Sequence, residues 1–460
     1  MRSALEHAGN EVAAMVPEGE AGCVLVRSQR RDAAVGGCHG GPTQARRLAE
    51  HTEQTTAALV LGEPTDDELP ARYAAVTGCG TQAVHRAARL AIERSGGHWR
   101  GSSSTAADHR LVETPLTDRD PAELIEAIAA QMPRGDSLEI SAEAHTAVEE
   151  RLLVPTHGPP VRETLHTGAV VVDVLHSGVR VAEADLAWSG RALPDLGKLA
   201  ERVEQALQRA RAPRRPAPAQ VHMLLLDGSA GAFLHEVCGH LLESTRQRPS
   251  LLAELETSHV AHHRLSIDDD PRHPAGFGAH EYTMLGMPTH RRPLLTEGCL
   301  TGLLKDTPDG PWRAENARHR PQPRMTHLKL APAPSCAPLN EAIGDACAPV
   351  VRVHRLGFGS LDHRDGSVIL EVKDATLHEG SRKHRLEPFL VTTEARQALR
   401  DVRAVGCLAT VQPWSAYCLA TSGSLPVGAS TPSLLTGPLA TLPHRPLAPP
   451  RTAVLTSRSR

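Results

Sequence analysis

The segment HEVCGHLLE, residues 235–243, sets a carboxylate, Glu236, directly after the first of two histidines, His235 and His240. Imidazole is the commonest protein ligand for metals. A glutamate beside it is the kind of base that metal-assisted hydrolysis uses to take a proton from attacking water. In the familiar HExxH peptidases a separation of four puts both rings on one helical face. Here the separation is five, which on a regular α-helix turns the side chains about 140° apart at roughly 100° per residue. One turn of π-helix, with i to i+5 hydrogen bonds, would bring them back together, and such turns are frequent at functional sites. Gly239 is expected to ease that departure because it has no Cβ. The chain contains 26 histidines, so the pair alone does not establish a site. A catalytic zinc usually has three protein ligands and one open position, and the third ligand must come from elsewhere.

The elements that would position this motif can be read around it. VHMLLLD, residues 221–227, is a continuous apolar run expected to be a buried strand, followed by GSAGAF and a helix that carries the histidines. Further on, SVILEVKDATL from Ser367 reads as a strand and residues 393–403 as a helix. In the first half, residues 81–95 have helical periodicity. Residues 166–188 read as two strands about a Ser177-Gly178 turn, and residues 197–211 as a helix. RAPRRPAPAQ, residues 211–220, can neither extend that helix nor bury itself, and marks the domain boundary. Beyond residue 440 the sequence is rich in proline and lacks periodicity, as expected of a disordered tail. The reading is an α+β protein of two domains: a mixed α/β domain over 1–215, a β-rich domain over 221–440 carrying the metal-site helix, and a tail over 441–460.

Composition narrows the function classes. A formal charge of -3 over 460 residues gives no basic excess for capturing nucleic acid or a membrane surface. Aromatic residues make up 2% of the chain, too few for a platform that stacks bases. No stretch approaches the ~20 apolar residues of a membrane span, and the N-terminus lacks the apolar core of a signal peptide. Nine scattered cysteines without a CxxC pair read as mostly reduced thiols, and hence as a cytoplasmic protein. Arginine far outnumbers lysine, as in a GC-rich genome.

LLLDGSAGAFLHEVCGHLLE resembles the signature of the TldD/PmbA family of metallopeptidases, whose active members carry HExxxH followed by a glutamate. The similarity continues in order through IDDD (267–270), TEGCLTGLLKD (296–306), PRMTH (323–327) and LPVGASTPSL (425–434). In that family the third zinc ligand is a cysteine eight residues before the proline of the terminal PVG element, and here that position is Cys418. The resemblance therefore implies zinc held by His235, His240 and Cys418. A thiolate with two neutral imidazoles suits that ion and leaves a fourth position for water. Cys238 is read as a packing residue turned away from the metal, and Cys407 as structural. The chain departs from the family pattern where Leu419 and Ala420 stand in place of small and basic residues, and where His327 replaces an asparagine.

With zinc in place, Glu236 would accept the water proton and pass it to the leaving amine. Glu243 would orient a ligand histidine, and Arg324 would hold a substrate carboxylate. Residues 268–270 read as a loop, and His262 and His263 as surface residues. The leading expectation is a zinc metallopeptidase acting on extended peptides, paired with a related TldD/PmbA-family subunit as a heterodimer. The alternatives are hydrolysis or exchange of an amide in a secondary metabolite, as in antibiotic biosynthesis, and a non-catalytic scaffold or regulatory subunit.

Overall fold

The computed structural model describes residues 21–38, 44–60, 71–77, 86, 110–112, 121–132, 138–155, 160–190 and 194–444, the last without 227, 308, 317–318, 380–381 and 410–413. Most of the helix expected over 81–95, and residues 445–460 of the tail expected over 441–460, lie outside these; the first residues of that tail, 441–443, are instead the end of a paired strand, Pro432–Pro443.

The first half forms a seven-stranded sheet from β1 (Ala21–Cys38), β2 (Gln44–Val60), β3 (Ala71–Thr77), β4 (Arg110–Val112), β5 (Leu138–Pro155), β6 (Val161–His176) and β7 (Val179–Ser189). Its order is β3-β2-β1-β5-β6-β4, with β7 also on β6. The expected hairpin is β6 and β7. Its two turn residues, Ser177 and Gly178, both have positive φ, 52° and 74°, as a twisted two-residue hairpin requires. Two helices, α1 (Pro121–Gln131) and α2 (Leu196–Ala210), cover one face. Leu124, Ile125 and Ile128 of α1 and Leu199 and Val203 of α2 pack on Val170, Val172 and Val174. Asp195 caps α2 by accepting from Gly197 N, and the proline-rich segment after Ala210 ends it.

The second half contains a sheet whose ends meet. Strands β8 (Gln220–Leu225), β13 (Val350–Leu361), β14 (Ser367–Glu379), β16 (Phe389–Glu394) and β20 (Pro432–Pro443) run β13-β8-β20-β16-β14, and β14 pairs back onto β13. Closure removes the exposed edges of these five strands. β15 (Arg382–Leu386) extends from β14, and β17 (Ala404–Ala409) lies on β20. The helix expected over 393–403 is shorter, α6 (Ala395–Arg400). Thr393 and Glu394 finish β16, and the Glu394 carboxylate caps the helix by accepting from Arg396 N and Gln397 N.

Beside this closed sheet lies a second one, β11-β10-β9-β12-β19-β18, made of β9 (Ile267–Asp269), β10 (Arg292–Thr296), β11 (Cys299–Leu300), β12 (His327–Leu330), β18 (Trp414–Ala420) and β19 (Gly423–Ser430). The metal-motif helix is enclosed in the apolar core of these sheets, with Phe233, Leu234, Val237, Leu241 and Leu242 at 2% exposure or less. Of residues 268–270, expected in a loop, Asp268 and Asp269 are in strand β9 and Asp270 follows it. Asp269 is fully buried and accepts from the backbone N–H groups of Thr326 and His327, which holds the segment after Arg324 in place.

The reduced state expected of the cysteines is corrected at one pair. Cys336, just before α5 (Ala337–Gly344), is bonded to Cys407 of β17, with Cα atoms 4.8 Å apart. That proximity comes from packing, which cysteine spacing in the sequence does not reveal. It removes part of the ground for a cytoplasmic reading. No helix among the described residues is long and apolar enough to cross a membrane.

Candidate metal centre

The site begins where β8 ends. Gly228, with φ 85°, turns the chain into α3 (Ser229–Leu234), a backbone conformation that side chains with a Cβ rarely adopt. The helix then passes into a π-turn over His235–Gly239, in which His240 N–H donates to His235 O, and resumes as α4 (His240–Leu242). The five-residue histidine spacing is thus absorbed by one i to i+5 turn. The two rings meet edge to face, with centroids 4.6 Å apart.

Gly239 contributes in a way the sequence did not indicate. Its φ of -55° is open to any residue, so conformational freedom is not what glycine supplies. A Cβ there would lie 2.1 Å from Met325 Sδ, and the glycine is needed for space.

Cys418, on β18, reaches the same point from the other sheet. Its Sγ lies 3.3 Å from His240 Nε2. Ligand atoms of His235, His240 and Cys418 all lie within 4.8 Å of one another. His235 and Cys418 are buried and His240 nearly so. Cys238, in the same π-turn, is fully buried in the apolar core, and burial pushes its thiol up to about 12. It is a packing residue.

Hydrogen bonds fix the orientation of these groups. Glu243 Oε2 is 3.1 Å from His240 Nδ1, and Glu243 Oε1 accepts from Arg324 Nε at 2.8 Å. A carboxylate can only accept here, so Nδ1 carries a proton, and Nε2 is the ring nitrogen that faces Cys418. Burial by itself would lower His240, but the Glu243 carboxylate and Cys418 raise it to about 10. Burial by itself would raise Glu243, but Arg324 and His240 hold it well below the usual carboxylate range. Burial and the neighbouring His240 push His235 well below the usual imidazole range. Glu236 is half-buried, its Oε1 4.0 Å from His235 Nε2, and burial raises its pKa. Its side chain lies over Gly359 of β13, where a Cβ would come within 2.4 Å of Glu236 Cγ.

Arg324 does not stand where a substrate carboxylate could reach it. It is fully buried, and all three of its nitrogens are engaged, by Glu243, Ser422 and Cys418. The arginine serves the interior of the site, because the parallel pairing of β12 with β19 brings residue 324 beside the β18–β19 hairpin.

Two neighbours of the site were missed from sequence. Trp414 packs on His235 with ring centroids 5.0 Å apart. It lies four residues before Cys418 on the same strand, so the two-residue period of a strand could have placed it on the ligand face. His363, in the turn between β13 and β14, stands 6.3 Å from His240. Burial and Arg248 push it down to about 4. Nothing in the local sequence distinguishes it from the other histidines.

The donor set fits a borderline-soft divalent cation: two imidazoles and a sulfur, with a carboxylate alongside. His235 Nδ1 is buried with no hydrogen-bond partner among the described residues, an atom whose burial is otherwise uncompensated.

Comparison with known proteins points the same way. Residues 218–440 match the PmbA/TldA metallopeptidase C-terminal domain. Among solved structures, TldE from Thermococcus kodakarensis is similar over 91% of this chain and 96% of its own, at 15% identity and a TM-score of 0.66. A candidate modulator of a DNA gyrase from Thermotoga maritima is similar over 92% and 96%, at 12% identity and a TM-score of 0.66. A candidate modulator of DNA gyrase from Bacteroides thetaiotaomicron is similar over 96% and 99%, at 14% identity and a TM-score of 0.67. At these identities the likeness is one of fold. A search of curated proteins finds no match.

Proposed function

We propose that this chain, which belongs to the PmbA/TldD family through its C-terminal domain, is a zinc metallopeptidase that hydrolyses peptide or amide bonds, working as one half of a heterodimer with a related PmbA/TldD-family subunit. One observation carries the reading: His235, His240 and Cys418 present three ligand atoms within 4.8 Å, with the Glu236 carboxylate beside them.

His235 Nδ1 or Nε2, His240 Nε2 and Cys418 Sγ would hold the ion. When bound, zinc supplies a Lewis acid that polarises a carbonyl and lowers the pKa of water toward ~7. Glu236 takes the proton of the attacking water and delivers it to the departing amine nitrogen. Burial raises its pKa from the usual carboxylate value, toward the working pH, where one group can both accept the water proton and return it to the amine. Glu243 keeps the Nδ1 proton on His240 so that Nε2 remains a ligand. Partly buried Trp414 packs on His235, and the apolar core encloses the helix behind the ligands.

A second reading has one specific observation in its favour. Leu419, directly after the ligand cysteine, is 80% exposed, which offers an apolar contact to a partner or substrate and suits an amide in a secondary metabolite. A scaffold role has no use for the converged ligand set. Metal analysis of the purified chain, alone and with a related subunit, tests the proposal. About one zinc per chain, lost in His240→Ala, is expected, and equal zinc in wild type and variant would overturn it.

A further inference from the structure

The guanidinium of Arg324 touches both arms of the metal centre. Nε donates to Glu243 Oε1 at 2.8 Å, Nη2 to Cys418 Sγ at 3.0 Å and Nη1 to Ser422 Oγ at 2.8 Å. Glu243 in turn holds His240 through Oε2, and Met325 N–H donates to Glu243 Oε1 at 3.2 Å. A continuous chain of contacts therefore runs from His240 on the helix through Glu243 and Arg324 to Cys418 on the strand. Arg324, Glu243 and Ser422 are each at 2% exposure or less.

We propose that Arg324 is a positioning residue that sets the separation and orientation of two metal ligands, His240 and Cys418, from one rigid planar group. The inference rests on the metal-centre reading above. It assigns Arg324 a task different from the substrate contact that its type first suggested.

The chemistry favours arginine specifically. A guanidinium presents its N–H groups in a fixed fork and stays charged, whereas a lysine ammonium is a single point on a flexible stem. Only the fork can reach a carboxylate, a hydroxyl and a sulfur in three fixed directions. Its charge, together with the His240 ring on Oε2, balances the buried Glu243 carboxylate. Its bond to Sγ complements the electron-rich form in which sulfur binds a metal. The third bond, to Ser422 in the turn after β18, ties the guanidinium to the hairpin that carries Cys418. The backbone holds that turn too, since Glu315 N–H donates to Ser422 O at 2.9 Å.

The test uses the full chain loaded with zinc or cobalt(II). Zinc affinity is read by competition with a chelator, and cobalt(II) reports the ligand field and the sulfur-to-metal charge-transfer band. In Arg324→Lys, zinc affinity is expected to fall roughly 10–100-fold, the usual loss when an outer partner of a metal ligand is removed, with a displaced charge-transfer band. Ser422→Ala, which keeps both bonds toward the ligands, should release zinc only a few-fold faster with the band in place. Unchanged affinity and an unchanged spectrum in Arg324→Lys would overturn the proposal while leaving the metal centre standing. If Arg324→Lys does not fold, Ser422→Ala decides, and zinc release at the wild-type rate overturns it. Wild-type protein that holds neither metal removes the metal centre, and this inference with it.

Discussion

Cys418 Sγ lies 3.3 Å from His240 Nε2, although 178 residues separate them in the chain. One comes from the hairpin β18–β19 and the other from a helix enclosed between two sheets, so the contact exists only if both sheets are assembled. Its consequences can be measured.

Cys418→Ser keeps the size of the side chain but replaces sulfur with a hydroxyl, which is a poor ligand for zinc beside two imidazoles. Zinc affinity, measured by chelator competition, should fall by more than the roughly 10–100-fold typical of losing an outer partner. Thermal stability of the metal-free protein should change little.

Glu236→Gln should separate binding from catalysis. The amide cannot accept the water proton, so turnover of a peptide substrate is expected to drop by about 10²–10⁴-fold, the usual contribution of a positioned base. Zinc content should stay at the wild-type level, and activity surviving the substitution would remove Glu236 from that role.

Gly239→Ala tests the close approach at the π-turn. Its φ of -55° accommodates alanine, yet the new methyl would lie 2.1 Å from Met325 Sδ. Overpacking of this kind costs about 1–3 kcal/mol. Denaturant titration should show that loss in the single variant and partial recovery in Gly239→Ala with Met325→Ala, relative to Met325→Ala alone.

Glu163 supplies a pH dependence. Burial pushes its carboxyl up from 4.5 to about 7, against the pull of Arg151 and of the Glu281 N–H. The folded state therefore binds more protons than the unfolded chain between those values. Stability from this group is present at the acid end, falls as pH rises from about 4.5 to 7, and is flat above, by on the order of 3 kcal/mol at 1.36 kcal/mol per unit. Glu163→Gln should flatten this component, so that denaturant titrations at pH 5 and pH 8 differ less than in wild type.

Much of the local structure was legible in the sequence. Residues 221–225 of the apolar run form the buried strand β8, Ser177-Gly178 form the hairpin turn, and the five-residue histidine spacing is met by the π-turn it called for. These follow from periodicity, turn stereochemistry and helical geometry, which act within a few residues. The helix expected over 393–403 starts later, at Ala395, because a side-chain cap at Glu394 decides where it begins. The burial of Asp269 is not legible locally, because it depends on two backbone amides nearly sixty residues away.

By itself the sequence determined the identities of the chemical groups and the local geometry that presents two histidines on one face. Through resemblance it also pointed to Cys418. The tertiary structure alone decided that Arg324 faces inward rather than toward substrate, that Gly239 provides space rather than flexibility, and that Cys336 and Cys407 meet. Each depends on which distant strand packs against which, and no short-range propensity carries that information.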